Sequence, residues 1–369
     1  MALESSADDT CVAIVDHKKH IFSNVVIKQH AIHRQYGGIH PSVAIRAHQE
    51  NMPHAIRKAL CEANMKMPNI DGIAFTRGPG MGGCLSVSMN AAKALAAAHE
   101  KPIIGVHHMQ GHALTPQLTN GDEMDGYPFL TLLISGGHTM IALVRSATVF
   151  KIMASTVDIA IGNAFDKAAR LLGVVPDPGK GYGHALEAFC RTGDEAGEPA
   201  HLPTAGRPTF APLSYSIPNP HQPSQFSYAG LTSAVQRALR DDTVDKQGIA
   251  RAFQNAAFAQ LIHKLNNAIQ ECQRDGVSIQ AVVVSGGVAS NLTLRQRLRE
   301  TAFVGVNGKP PPRFIFPPPE LCTDNAAMIA WASMHRFLQH DFDDYSIQPL
   351  ATWDLESIGA QNEGALSTT

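Results

Sequence analysis

The amino-acid sequence predicts an α/β protein built as two lobes around a cleft, and three observations carry that expectation. Short β-rich runs alternate with longer helical patterns along most of the 369 residues. Two hairpin turns, Glu4–Thr10 and Ser135–Thr139, place small, polar or acidic residues between β-rich arms. A third loop, Ser285–Asn291, ends one strand and opens a helix, where backbone amides and the helix dipole favour a phosphate or nucleoside.

Taken in order, the strands are expected at Cys11–Asp16, Ile21–Ile27, Gly72–Thr76, Ile103–Val106, Phe129–Ile134, Met140–Val144 and Ala281–Val284. Helical periodicity separates them at Val43–Ala63, Leu85–His99, Ala164–Leu172, Leu231–Arg240, Ala250–Arg274, Leu292–Thr301 and Asn325–Phe337. Ahead of the first turn, Met1-Ala2-Leu3 leaves room for barely half a strand and none for a transit peptide, so a trimmed N-terminus is expected. The lobes are expected at 1–127 and 128–355, with a Pro- and Gly-rich insertion at about 192–225 and a frayed tail at 356–369.

Composition bounds the function. With 44% hydrophobic and 17% charged residues, the chain can bury a large core. Lys plus Arg total 30 against 32 Asp plus Glu, a formal charge of -2, so nucleic acid could be held only by a local patch or with a partner's help. Six cysteines lie scattered with no CxxC pair, which argues against a disulfide framework or zinc ribbon and for a reducing compartment. No apolar run reaches the roughly 20 residues of a membrane span.

His108 and His112 stand at i and i+4 of a helix expected just after a buried strand, so both imidazoles share one face. They could ligate a divalent metal or serve only helix polarity. A zincin protease needs a Glu directly after the first of these histidines, and Met109 stands there. His107 faces elsewhere and is read either as a support behind the metal ligands or as packing. A third ligand should come from a loop-end carboxylate, and Asp324 qualifies, although N-capping of the following helix would equally explain it. Two His and one Asp would leave open positions for a substrate.

The paired hairpin loops and the strand-to-helix loop are the arrangement of the actin-like ATPase, sugar kinase and Hsp70 superfamily, with duplicated mixed sheets and a nucleotide cleft between lobes. The resemblance then becomes specific. Glu4–Thr10, Tyr36-Gly37-Gly38, the HHMxxH stretch 107–112, Leu133–Thr139, Phe165-Asp166-Lys167, Ser227–Leu231, Ser285–Asn291 and Thr323-Asp324-Asn325-Ala326-Ala327 occur in the order of the TsaD family. Its members are tRNA threonylcarbamoyladenosine transferases, once misnamed O-sialoglycoprotein endopeptidases. The opening hairpin and the insertion look most like the fungal mitochondrial branch, which implies the mitochondrial matrix, with cytoplasm as the alternative.

The resemblance implies that His108, His112 and Asp324 hold one iron or zinc ion. Ser135, Gly136, Gly137, His138 and Thr139 would bracket the phosphate and carbamoyl end of a threonylcarbamoyl-AMP intermediate made by a separate synthase. Asp166 would bind its sugar hydroxyls, Gly183 and Glu187 would follow on the next element, and Asn291 would reach the nucleoside. The N6 amine of the adenosine beside the anticodon would attack the carbamoyl carbon and AMP would leave. The metal would serve as Lewis acid and template, and Gly136 and Gly137 amides would stabilise the developing oxyanion. Asp8 or Asp9 could accept the amine proton or merely solvate the turn. For tRNA the candidate cations are Arg34, Arg46 and His48, although Arg46 could instead pair with Glu50 along its helix. Homodimer formation is expected, which would duplicate that patch.

Three departures from the family pattern stand out: Ala7 replaces a Cys, Ser42 replaces a Glu, and Thr232 replaces a Lys. They keep open a non-catalytic scaffold. A kinase or ATPase of the same superfamily is the other rival, and it predicts a carboxylate-and-water magnesium site rather than two imidazoles.

Overall fold

The computed structural model describes residues 1–33, 36, 38–124, 126–177, 180–191, 224–240, 244–301, 303 and 312–359. Of the expectations above, Arg34, Gly37, nearly all of the 192–225 insertion and the end of the tail lie outside these residues.

The first half of the chain runs β1 (Ala2–Glu4), β2 (Asp9–Val15), β3 (Ile21–Lys28), α1 (His30–His33), α2 (Pro41–Glu62), β4 (Ile73–Gly78), α3 (Gly82–Ala98), β5 (Ile103–His107) and α4 (His108–Thr119). The second runs β6 (Phe129–Ile134), β7 (Thr139–Val144), β8 (Phe150–Thr156), α5 (Ile161–Leu172), α6 (Tyr182–Arg191), β9 (Gln225–Phe226), α7 (Ala229–Ala238), α8 (Lys246–Arg274), β10 (Ala281–Ser285), α9 (Leu292–Glu300), β11 (Arg313–Ile315), α10 (Pro319–Cys322) and α11 (Ala326–Leu338).

The strands form two mixed sheets, ordered β3-β2-β1-β4-β5 and β11-β10-β6-β7-β8-β9. Each contains the same unit: three antiparallel strands consecutive in sequence, whose first member then pairs in parallel with a later strand, itself parallel to the next. The duplication expected from the paired hairpin loops is thus visible in strand order. β1 is only three residues long, yet it is fully buried and central in its sheet. Strands β8, β9 and β11 and helix α6 were not among the expected elements. β8 has a mixed burial pattern without clean alternation, and β9 and β11 are two and three residues long, too short for a periodic signal.

The division of lobes differs from the expected one. After Asp324 the chain crosses back, and α11 packs against α4 and against β1, β2 and β5 of the first sheet. The following segment stays there: Asp343 bridges to Ile103 and its carboxylate accepts from the Gly105 amide at 2.7 Å. Periodicity reported α11 as an apolar helix but carried no information about which sheet would cover it.

α4 lies between the two halves, touching β4 and β5 on one side and β6 and β10 on the other. It is buried on all faces, which is unusual for a helix carrying two histidines and places them in the interior. Gly111 allows the tight approach of α11, since a Cβ there would come within 3.1 Å of Met328 and Ile329.

Candidate metal centre

β5 delivers the chain directly into α4, and His107 caps the turn. Its Nδ1 accepts from the Met109 amide at 3.1 Å and its Nε2 donates to the Trp353 carbonyl at 3.1 Å. Burial holds this ring neutral, with its pKa lowered to about 3. His107 is therefore committed to capping α4 and to holding the Trp353 backbone.

One helical position on, His108 and His112 meet edge to face on the buried side of the helix, with ring centroids 4.8 Å apart. Asp324 approaches from the turn between α10 and α11, its Oδ1 3.4 Å from His108 Nε2 and 3.1 Å from His112 Nε2. The three ligand atoms lie within 4.8 Å of one another. Asp324 does not cap α11, because Asn325 does so, accepting from the Met328 amide at 3.0 Å. Asn325 also donates to the Leu321 and Thr323 carbonyls, which fixes the turn carrying Asp324. The residue that sequence reasoning left between two roles is thus relieved of one of them.

The electrostatics fit a cation. Burial pulls the His108 pKa down, but Asp324 and Glu4 outweigh it and push it up to about 10. Asp324 lies well below the usual carboxylate range, because the two histidines overcome its desolvation. Two imidazoles and one carboxylate with a partly exposed side chain match an ion with open coordination positions. His138 lies nearby, its ring 6.4 Å from that of His108. Burial and the neighbouring histidines lower its pKa to about 4.

Behind His108 stands Glu4, a residue the sequence did not single out. It is fully buried at the end of β1, with Oε2 3.1 Å from His108 Nδ1. The same carboxylate accepts from the Ser6 amide and the Thr76 hydroxyl. Ser6 Oγ lies 3.2 Å from His108 Nδ1.

The first hairpin reaches this centre through Glu4 and Ser6, and the 135–139 hairpin through His138. In the 135–139 hairpin, Ser135 Oγ accepts from the His138 amide at 3.0 Å and more loosely from Gly137 at 3.3 Å. Gly136 and Gly137 are exposed at the tip. Thr139 is buried and its Oγ1 accepts from the Ile161 amide at the start of α5, so this side chain positions α5 and is not open to a ligand. In the third loop, Gly286 has φ +98°, and a Cβ there would lie 2.3 Å from the Ile134 carbonyl oxygen, so glycine is required.

A cavity of about 780 Å³ opens between the lobes, lined by Asn24, Val26 and Lys28 of β3 on one side and by Glu187, Ser290 and Thr323 on the other. Glu187 Oε1 accepts from the Leu292 amide at 2.8 Å, and Asn291 Oδ1 accepts from Leu294 at 2.9 Å. Both side chains therefore cap α9. Asp166 sits on α5 beside Gly183, where a Cβ would lie 3.8 Å from its Oδ1. Asp9 is buried at the start of β2, with Oδ1 lacking a partner among the described residues. Burial, Asp8 and Asp324 raise its pKa to about 8.

His48 requires a correction. It is fully buried, its Nε2 donating to the Ala7 carbonyl at 3.0 Å while Nδ1 accepts from Thr10 Oγ1 at 2.7 Å. A ring enclosed in this way cannot serve as a surface cation for RNA. Its position on α2 faces the first sheet, which motif spacing alone did not reveal. Arg46, two residues earlier, is exposed, and no ion pair joins it to Glu50 among the described residues.

Comparison with known proteins supplies the family. A family model described as tRNA N6-adenosine threonylcarbamoyltransferase, TsaD, matches residues 20–331. The protein of that name from Zymomonas mobilis is 38% identical over 365 residues, covering 99% of this chain and 94% of its own. The one from Rhizobium etli is 38% identical over 385 residues, covering 99% and 98%. These relatives are bacterial and do not bear out the fungal mitochondrial branch, which rested on one short hairpin and an insertion. Among solved structures, component A of the Acidaminococcus fermentans (R)-2-hydroxyglutaryl-CoA dehydratase has a TM-score of 0.52 at 16% identity, covering 90% of this chain and 96% of that one. Full-length HypF has a TM-score of 0.51 at 14% identity, covering 93% and 56%. At such identities the likeness is one of fold, the two-lobed actin-like architecture expected from the loops.

Proposed function

The chain belongs to the TsaD family of tRNA N6-adenosine threonylcarbamoyltransferases, and from that premise we propose how its own residues carry out the transfer. The activity is acyl transfer in tRNA threonylcarbamoyladenosine modification. The observation that carries the proposal is the buried His108, His112, Asp324 trio beside the interlobe cavity. When an iron or zinc ion is held by these three side chains, it supplies Lewis-acid polarisation and a template.

The donor is threonylcarbamoyl-AMP from a separate synthase. Its AMP portion occupies the cleft, with the ribose hydroxyls on Asp166 beside Gly183 and the nucleoside near the loop that Glu187 and Asn291 hold in place. The exposed 135–138 hairpin tip holds the reacting end. There Gly136 and Gly137 can offer amides to the oxygen that gains charge, the latter by leaving its long bond to Ser135. The N6–carbon bond forms, the carbon–phosphate oxygen bond breaks, and the N6 proton passes to Asp9 or Asp8. Asp9 suits this role, having a buried oxygen without a partner among the described residues. A kinase reading is disfavoured by the two imidazoles, since magnesium prefers carboxylates and water.

Other parts of the proposal rest on separate observations. Exposed Ile32, Tyr36 and Ile39 gather large apolar side chains within eight residues, a feature that suits a homodimer contact. Arg46 offers a surface cation for tRNA. Both the mitochondrial matrix and the cytoplasm are reducing and suit six free cysteines, and imaging of the full-length protein distinguishes them. No helix among the described residues is long and apolar enough to cross a membrane.

The decisive experiment supplies threonine, bicarbonate, ATP, a partner synthase and tRNA to this protein and measures the modified nucleoside by mass spectrometry. Modified tRNA is expected only when both proteins are present. Synthase-only formation, or none with both, refutes the proposal.

A further inference from the structure

Glu4 is a carboxylate with no exposed surface and no Lys or Arg partner among the described residues. Burying such a group costs several kcal/mol unless hydrogen bonds compensate it. Its compensation comes from three donors: the Ser6 amide on Oε1, and the Thr76 hydroxyl and the His108 ring on Oε2. The first comes from the turn after β1 and the second from β4, and both would hold any small acceptor. The third crosses from β1 to α4, joining residues 104 apart, and ends on the nitrogen of His108 opposite Asp324.

We propose that Glu4 is the positioning residue of the metal centre, fixing the ring of His108 with its proton on Nδ1 so that the Nε2 lone pair is aimed at the position shared with His112 and Asp324. The inference rests on the metal reading given above. A carboxylate accepts and does not donate, so at 3.1 Å the hydrogen must be carried by His108 Nδ1. That leaves Nε2 as the ring's ligand atom, 3.4 Å from Asp324 Oδ1. The bond also fixes ring rotation, because the line from Glu4 through His108 to Asp324 defines it. Ser6 Oγ, 3.2 Å from the same Nδ1, reinforces that orientation. By contrast, the Nδ1 of His112 is buried without a partner among the described residues. The two imidazoles therefore differ, with only His108 tethered from behind. Carboxylate–histidine–metal arrangements of this kind raise ligand basicity and restrict ring motion, and their loss typically costs 10- to 100-fold in metal affinity.

The test uses the full-length protein stripped of metal and titrated with Co²⁺ and Zn²⁺. Glu4→Gln is nearly isosteric but offers one acceptor oxygen where three donors converge, so about 10- to 100-fold weaker binding is expected. The visible spectrum of bound Co²⁺ should also shift. Thr76→Val removes a different bond to the same carboxylate and leaves the His108 contact in place. It should lower the melting temperature while keeping cobalt affinity within about threefold of wild type, a split that a merely structural role for Glu4 would not produce. Should Glu4→Gln not fold, the wild-type protein answers by ¹⁵N NMR of its histidines in the zinc-loaded state, where His108 should show a protonated Nδ1 and a ligating Nε2. Wild-type metal affinity in Glu4→Gln, equal losses in the two variants, or ligation through Nδ1 overturns the proposal. Failure of wild-type protein to bind either ion overturns the metal reading itself.

Discussion

Glu187→Ala separates two roles that one residue could hold. The resemblance assigns Glu187 to the substrate, whereas the structure shows Oε1 accepting from the Leu292 amide at 2.8 Å, at the first turn of α9 and immediately after the third loop. The residue is buried, so solvent does not replace the lost acceptor readily. A hydrogen bond to a charged group contributes about 1.5–3 kcal/mol, and the favourable meeting of a carboxylate with a helix N-terminus lies within that total. Taking about 2 kcal/mol, local opening at Leu292 should become about 30-fold more frequent. Glu187→Gln keeps an acceptor oxygen without the charge, loses about 1 kcal/mol, and should raise opening about fivefold. Native-state hydrogen exchange reads this directly. The Leu294 amide is an internal control, because its acceptor is Asn291 and the mutation leaves that bond intact. AMP affinity, measured by calorimetry, should fall in the order wild type, Gln, Ala. If Leu292 in Glu187→Ala exchanged at the wild-type rate while AMP binding was lost, Glu187 would act on the ligand directly and the loop-holding argument would be refuted.

Three further outcomes follow from the same geometry. His108→Ala and His112→Ala should each abolish bound metal and transfer with the fold retained, since cleft metals contribute less to folding than structural ones, and full metal content in both variants would remove the assignment. Asp166→Ala should weaken AMP binding through loss of charged hydrogen bonds of about 1.5–3 kcal/mol each while α5 persists, as helix circular dichroism would show. His48 is held below its ordinary pKa of 6.5 by burial, against the opposing pull of the Ala7 carbonyl, Glu4 and Asp8. The folded state thus prefers the neutral ring, so its contribution is present above about pH 6.5 and is lost as pH falls and the unfolded chain takes up the proton first. His48→Gln should destabilise the protein at pH 7.5 and narrow the gap between urea midpoints at pH 7.5 and 5.5, whereas an unchanged gap would contradict it.

What was legible in the sequence depended on how far each signal reaches along the chain. Contiguous apolar runs such as Phe129–Ile134 reported β6 to the residue, because a buried strand carries its own signature over six positions. The three residues of β1 could not, since their central place is fixed by pairing with Ala13 and Ala74, neither of them a near neighbour. The same distinction runs through the site. His108 and His112 were legible together because four residues make one helical turn, while Asp324, 212 residues from His112, needed the family motif to join them. His48 was misjudged for a related reason: motif spacing fixes its place along α2 but does not say that its side faces Thr10 and Ala7. Glu4 shows the limit most clearly. Within its hairpin it reads as an acidic turn residue, and only the crossing of β1 beneath the start of α4 brings its carboxylate to His108. A residue that acts through another residue carries no spacing signal of its own. Such residues should therefore be sought where an ionised side chain is buried without a cation, as Glu4 is, because the bonds that offset its desolvation lead to the group it serves.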